Sequence, residues 1–256
     1  MDAAPRDDTS ERLGRQEAQY AFPYHHIAHF DAAGSAARAR VLPWAVEYLV
    51  YLKRCADLVA EAQPASVLDV GCGDGRFLGL LEGPFERRAG ADMSERAIAF
   101  ARAFHPDFEF HAGDAADVPG TFDVVTAIEV LEHVPDEHVP RFLQTLAAKA
   151  RPGGTVVICV PTTVVPVSAK HFRHYDEERL AREIAASGAP LECVATERVM
   201  RKTRRLDWYK RLTHNRLWFW EVWPLRRRVW DHAWNVARHA DTTNGRHLVA
   251  VLRRAK

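Results

Sequence analysis

Short apolar runs of the kind a buried strand needs recur along the chain. They are Val67-Leu68 with Val70, the R-A-G-A-D run ending at Asp92, residues 108–111, the T-F-D-V-V-T-A-I run, and T-V-V-I-C-V-P after Gly153-Gly154. Between them, apolar residues fall three and four apart. Val41, Trp44, Ala45, Tyr48, Leu49 and Leu52 predict a helix over 38–62, stopped by Pro64. Further helices are expected over 76–81 and 95–104, the latter capped by Ser94. Strands 191–199 and 246–254 follow. Alternation of strand and helix predicts an α/β fold, Rossmann-like, with a doubly wound and mostly parallel sheet.

The first strand breaks at Gly71-Cys72-Gly73-Asp74-Gly75. Glycines at alternate positions let the backbone turn tightly and approach a ligand, because no Cβ stands in the way. A strand, a glycine loop and a helix make a nucleotide-binding crevice at the carboxyl edge of a sheet. Asp69 ends the strand just before the glycines. A carboxylate there suits a cationic or amino-bearing ligand and would repel a pyrophosphate at close range. Asp92, about 20 positions past the glycines, is placed to accept both hydroxyls of a ribose.

The fourth strand runs into E-V-L-E-H-V. If this segment opens a helix, Glu129, Glu132 and His133 share one face. Two carboxylates and an imidazole make a site for Mg²⁺, Mn²⁺, Fe²⁺ or Zn²⁺. The segment K-H-F-R-H-Y-D follows the fifth strand, so His171 could arrive above the sheet as a fourth ligand, with His174 nearby. A neutral imidazole also suits a hydroxyl acceptor as base, which makes His133 and His174 the catalytic candidates.

The D-V-G-C-G-D-G segment, with Asp92, Asp114 and E-V-L-E-H, closely resembles class I S-adenosylmethionine-dependent methyltransferases. That resemblance implies a seven-stranded sheet of order 3-2-1-4-5-7-6, its last two strands antiparallel. It implies S-adenosylmethionine held by Asp69, Gly71, Cys72, Gly73, Gly75, Asp92, Met93, Asp114, Ala115 and Glu129, with Asp114 at the adenine amino group. The E-x-x-E-H pattern and a later histidine are similar to two metal-dependent branches, the O-methyltransferases of ubiquinone synthesis and the 2′-O-methyltransferases of small-RNA ends. The same segment occurs in methyltransferases that bind no metal, where the first Glu lines the cofactor pocket and the His lies near substrate. P-Y-H-H, K-H-F-R-H-Y and N-G-R-H-L-V-A-V also resemble bacterial methyltransferases of glycan and natural-product pathways. The expected reaction is O-methylation of a small-molecule or glycan-like hydroxyl. RNA 2′-O-methylation, a lipid-linked acceptor at a membrane, and a cofactor-binding scaffold without turnover are the alternatives. NAD in place of S-adenosylmethionine would make the chain a dehydrogenase.

Composition adds to this picture. Four scattered cysteines (Cys55, Cys72, Cys159, Cys193) without C-x-x-C spacing read as buried free thiols in a reducing compartment. With no apolar leader and no long apolar stretch, the expected location is cytoplasmic. A formal net charge of +1 conceals an asymmetry: residues 1–195 hold 19 Lys+Arg against 29 Asp+Glu, and residues 196–256 hold 16 against 5. Six of the seven tryptophans lie between Trp208 and Trp234.

These features divide the chain into an N-terminal helical cap (1–63), a cofactor-binding domain (64–199 with 246–256) and a Trp/Arg-rich insertion (200–245). The insertion, a lid or substrate platform, is expected to hold helices over 206–217 and 226–239 with Pro224 between them. Its tryptophans and arginines fit packing onto the domain, contact with anionic lipid, or nucleic-acid stacking. In the cap, F-P-Y-H-H-I-A-H-F carries His25, His26 and His29, which could ligate a metal but read more readily as surface or cap histidines; the resemblance implies that Tyr24 or one of them touches ligand.

Overall fold

The computed structural model describes residues 11, 12, 14, 28–30, 34–38, 45–213 and 222–256. The expectations for Tyr24, His25, His26, Val41, Trp44, Trp218 and Trp220 lie outside the described residues, as does the His29 side chain. A short antiparallel pair, Ala28–Phe30 with Ala36–Arg38, precedes the main body. Helix α1 (Ala45–Glu61) leads to strand β1 (Ser66–Val70), α2 (Arg76–Leu80), β2 (Arg87–Asp92) and α3 (Glu95–Phe104). Strands β3 (Glu109–Ala112) and β4 (Phe122–Ile128), helix α4 (Val139–Lys149), β5 (Ala150–Pro161) and α5 (Glu177–Ser187) follow. The chain ends with β6 (Leu191–Val199), α6 (Arg204–Thr213), α7 (Trp223–His232) and β7 (His247–Arg254).

The seven strands lie in the order 3-2-1-4-5-7-6. β7 runs antiparallel to both β5 and β6, and the other pairs are parallel. Alternate residues of the central strands face opposite layers, as the two-residue period of a strand requires. Val67, Val124, Val157 and Val249 pack under α1, whereas Leu68, Val125, Ile158 and Ala250 pack under α4 and α5. Both faces are covered, which is why these strands read as unbroken apolar runs.

Several local expectations change in the folded chain. Ser94 Oγ accepts from Ala97 N at 3.2 Å and caps α3 as expected. The E-V-L-E-H segment forms no α-helix. Glu129 sits at φ 57, a left-handed conformation that cannot start a right-handed helix, and Leu131–His133 is one 3₁₀ turn. Pro224 lies inside the first turn of α7, where its missing N–H costs nothing, and α7 continues into a π-helical turn, Ala233–Ala237. Cys55, Cys72 and Cys159 are buried free thiols, but Cys193 is exposed because it lies on the outermost strand.

The insertion packs against the α1 layer through Trp230, Ala233 and Ala237. Trp230 and Trp234 stack at 5.8 Å, and Lys53 of α1 lies 4.7 Å above the Trp234 ring. No described helix is long and apolar enough to cross a membrane.

The sheet's amino edge is tied by Asp123. Its Oδ2 accepts from Ala65 N, Ser66 N and Ser66 Oγ at 3.0, 2.9 and 3.0 Å, joining the starts of β1 and β4. Asp123→Ala is expected to cost about 2 kcal/mol, read as a lower urea midpoint at unchanged m-value.

Candidate active site

Parallel strands all end at one edge, so the loops after β1, β2, β4 and β5 converge there. Gly71, Gly73 and Gly75 all have left-handed φ angles, of 75, 54 and 76. A Cβ on Gly71 would stand 2.4 Å from Val130 Cγ2, so the loop needs glycine to lie against the segment after β4. Gly75 lines neither cavity; its role is close packing, since a Cβ there would meet Phe110 at 2.9 Å. Asp92 is oriented by the backbone, its Oδ2 accepting from Gly73 N at 2.9 Å and its Oδ1 from Ser94 N at 2.8 Å.

Two adjoining cavities share Gly71, Asp92, Val130 and His133. The larger, about 660 Å³, is lined by Met93, Asp114 and Ala115. Asp114 Oδ1 accepts from Ala116 N, and Oδ2 accepts from Arg141 Nη2 at 2.8 Å. The smaller, about 410 Å³, takes in Asp69, Cys72, Gly73, Glu129, Glu132, His171 and His174. Asp69 is buried and accepts from Thr126 Oγ1 at 2.6 Å. Burial, countered by the Thr126 bond and reinforced by Asp92, raises its carboxyl to about 7.

The expected metal set is divided. Glu132, His133 and His171 come together with their ligand atoms within 4.8 Å of one another. Glu129 departs from them, because its left-handed backbone turns the carboxylate toward His247 and Cys159. The Glu132 carboxylate is fully buried and neither oxygen has a hydrogen-bond partner. Burial, then the nearby Glu129 charge, pushes its pKa well above the usual carboxylate range.

The histidine tautomers follow from their carbonyl partners. His133 Nδ1–H donates to Lys170 O at 3.0 Å, so its Nε2 lone pair faces Glu132 Oε1 at 3.8 Å. His174 Nδ1–H donates to Val165 O at 2.7 Å, so its Nε2 accepts from His171 Nδ1–H at 2.8 Å. That leaves a lone pair on His171 Nε2, while both nitrogens of His174 are engaged. His174 therefore orients His171 and has no nitrogen to offer as a base. Burial, then Lys170, lowers His133 to about 4; burial, then His133, lowers His171 to about 3. An orphaned carboxylate beside two neutral imidazole lone pairs fits a divalent cation.

The K-H-F-R-H-Y-D segment sets this geometry from behind. Phe172 N donates to Glu132 O at 2.8 Å. The buried Arg173 donates to Leu131 O at 3.0 Å and Val134 O at 2.6 Å, bracketing Glu132-His133.

Glu47 and His247 were not among the expected residues. His247 Nδ1 lies 3.0 Å from Glu129 Oε1, and Nε2 lies 3.1 Å from Glu47 Oε1. Donating to both requires the imidazolium. Burial opposes that charge, but Glu129 and Glu47 outweigh it and raise His247 to about 10. Burial also works against the Glu47 charge, yet His247 and Arg246 hold Glu47 down to about 2. Tyr51 lies against the His247 ring at 4.3 Å. The sequence signal was Arg246-His247 opening an otherwise apolar strand.

Residues 47–192 match a family model described as a methyltransferase domain. The chain belongs to the class I S-adenosylmethionine-dependent methyltransferases. It is 38% identical over 111 residues to a ubiquinone biosynthesis O-methyltransferase of Thiobacillus denitrificans, covering 40% of this chain and 47% of that protein. It is 35% identical over 107 residues to a trans-aconitate 2-methyltransferase of Deinococcus radiodurans, covering 41% of each. The methyltransferase spans about half the length of the curated relatives it matches. The magnesium protoporphyrin IX methyltransferase of Synechocystis PCC 6803, solved with S-adenosylhomocysteine, shares the fold at a TM-score of 0.59 and 14% identity, over 97% of this chain and all of that one. The N-methyltransferase NodS of Bradyrhizobium japonicum shares it at 0.57 and 17%, over 98% and 100%.

The raised His247 group supplies stability that is complete below its unfolded pKa near 6.5 and is lost as pH rises through about 10. His247→Gln should therefore cost about 3 kcal/mol at pH 6.5, leaving Glu129 without its cation. The gap from wild type in urea unfolding should shrink above pH 10.

Proposed function

We propose that the protein methylates a hydroxyl oxygen of a small-molecule acceptor, assisted by a divalent cation at Glu132, His133 and His171. The observation that carries this reading is the fully buried Glu132 carboxylate, without a hydrogen-bond partner, beside the His133 and His171 lone pairs. The ubiquinone-pathway and trans-aconitate relatives, one named an O-methyltransferase, support oxygen as the acceptor atom.

The donor supplies a sulfonium methyl group open to direct displacement. Asp92, held by Gly73 N and Ser94 N, presents its carboxylate to the ribose hydroxyls. Asp114, with Met93 and Ala115, takes the adenine end. Asp69 meets the positively charged end of the donor, and that charge favours its ionised form. A cation held by Glu132, His133 and His171 would supply Lewis acidity that lowers the acceptor hydroxyl's pKa. Arg173 and the Lys170 carbonyl keep His133 fixed in tautomer and orientation. Residues that hold the acceptor in line with the methyl group would contribute through position, which can supply about 7–11 kcal/mol of a barrier.

Calorimetric titration of EDTA-stripped protein tests the reading. S-adenosylhomocysteine should bind with micromolar affinity, and Asp92→Ala should abolish it. Mn²⁺ or Zn²⁺ should give a separate heat that Glu132→Gln removes with the nucleoside affinity unchanged. The cation-free stability of Glu132→Gln should stay close to that of wild type, because one buried, unpartnered neutral polar group replaces another. No metal heat, together with inactivity of His133→Gln, would sink the cation and make His133 Nε2 the base. Affinity for S-adenosylmethionine should also rise with pH through about 7, where Asp69 ionises, and Asp69→Asn should flatten that rise.

A further inference from the structure

The basic insertion leaves the sheet at the same edge as the active site. Pro161, the end of β5, and Val199, the end of β6, both pair with His247 at the start of β7. The loop after β5 and the lead into α6 therefore start one strand apart on either side of β7, about 10 Å from each other. Met200 N and Arg201 N donate to Arg238 O and Ala237 O, so the root of the insertion is anchored there.

The exposed face of α6 has a particular composition. At 100° per residue, Arg204, Arg205, Trp208, Arg211 and Leu212 fall within an arc of about 120°. Trp208 is 63% exposed and Leu212 39%, while Leu206 and Thr213 on the opposite side are packed inward. The loop after β5 adds Val164 and Val167, exposed at 40% and 56%, and its Val165 and Pro166 line the smaller cavity. Exposed apolar side chains thus stand in the loop that borders the smaller cavity and on α6, which is rimmed by arginine. Residues 196–256 carry 16 Lys+Arg against 5 Asp+Glu, so the field around them is positive.

We infer that this edge docks on an anionic lipid surface, with Trp208 and Leu212 entering at headgroup depth and Arg204, Arg205 and Arg211 meeting the lipid phosphates. Nucleic acid shares the charge but not the rest of the chemistry. Valine and leucine have no π-face on which a base could stack, whereas they partition into the acyl boundary. Trp208 suits the interface through its amphipathic ring. Docking would bring an amphiphilic, membrane-borne acceptor to the cavity mouth; that last step rests on the methyl-transfer reading, whereas the docking does not.

Co-sedimentation of the full chain with vesicles tests the inference. Phosphatidylcholine vesicles containing phosphatidylglycerol should carry the protein down, and vesicles of phosphatidylcholine alone should not. Each charge removed in Arg204→Gln and Arg205→Gln should weaken binding about fivefold. Trp208→Ser should weaken it about tenfold, and Val167→Ser by a smaller factor. Calorimetry with S-adenosylhomocysteine on the same samples should show unchanged affinity, so a misfolded variant or a failed cofactor reading is distinguished from failed docking. Wild type that binds the nucleoside but ignores anionic vesicles would overturn the inference. So would vesicle binding indifferent to Trp208→Ser and displaced by a single-stranded oligonucleotide, which would assign the surface to nucleic acid.

Discussion

An imidazolium held between two carboxylates joins three distant parts of the chain. His247 begins the last strand, Glu129 follows the fourth, and Glu47 lies in the first turn of the helix that precedes the sheet. Each group alone would be costly to bury in its charged form. Together they stay charged, and Arg246 adds a second cation to Glu47 at 2.5 Å. The cluster fixes α1 over the active-site edge and holds Glu129 in a left-handed conformation that a free glutamate would avoid. The cavity wall formed by Glu47, Tyr48 and Tyr51 depends on it.

A few ångströms away, burial has the opposite result. Burial of Glu132 outweighs the pull of Lys170 and His247, so its pKa rises; burial of His133 and His171 outweighs any carboxylate nearby, so theirs fall. The two imidazoles are therefore unprotonated and open to a cation, whereas Glu132 releases its proton only as the cation binds. Asp69 belongs to the same pattern at the donor's end of the cavity, since a buried carboxyl near neutrality is a group that a cationic ligand can ionise. One sheet edge thus carries a structural ion cluster that is complete in itself and a functional cluster that is not.

The tryptophan-rich insertion divides in the same way. Trp230 and Trp234 stack and pack against α1, and Arg238 lies 4.3 Å over Trp234, so this half of the block is core. Trp208 faces outward. Their sequence neighbourhoods are alike in basic and aromatic content, and only the path of the backbone separates them.

Much of this protein is determined by short-range pattern. Strand positions buried on both faces need continuous apolar runs, a loop whose glycines adopt left-handed φ admits little else, and Ser94 caps the helix it precedes. The strands, the glycine loop and the capped helix were legible for that reason, whereas the sheet order came only from the resemblance to class I methyltransferases. The path of E-V-L-E-H was not legible, because helix-compatible spacing in Glu129, Glu132 and His133 carries no sign that Glu129 would turn away. That turn is made by His247, 118 residues distant, which in turn meets Glu47, 200 residues away. Local sequence settles which backbone conformations are cheap; which buried charges become partners is settled only when the folded sheet brings its far-separated strands to a common edge.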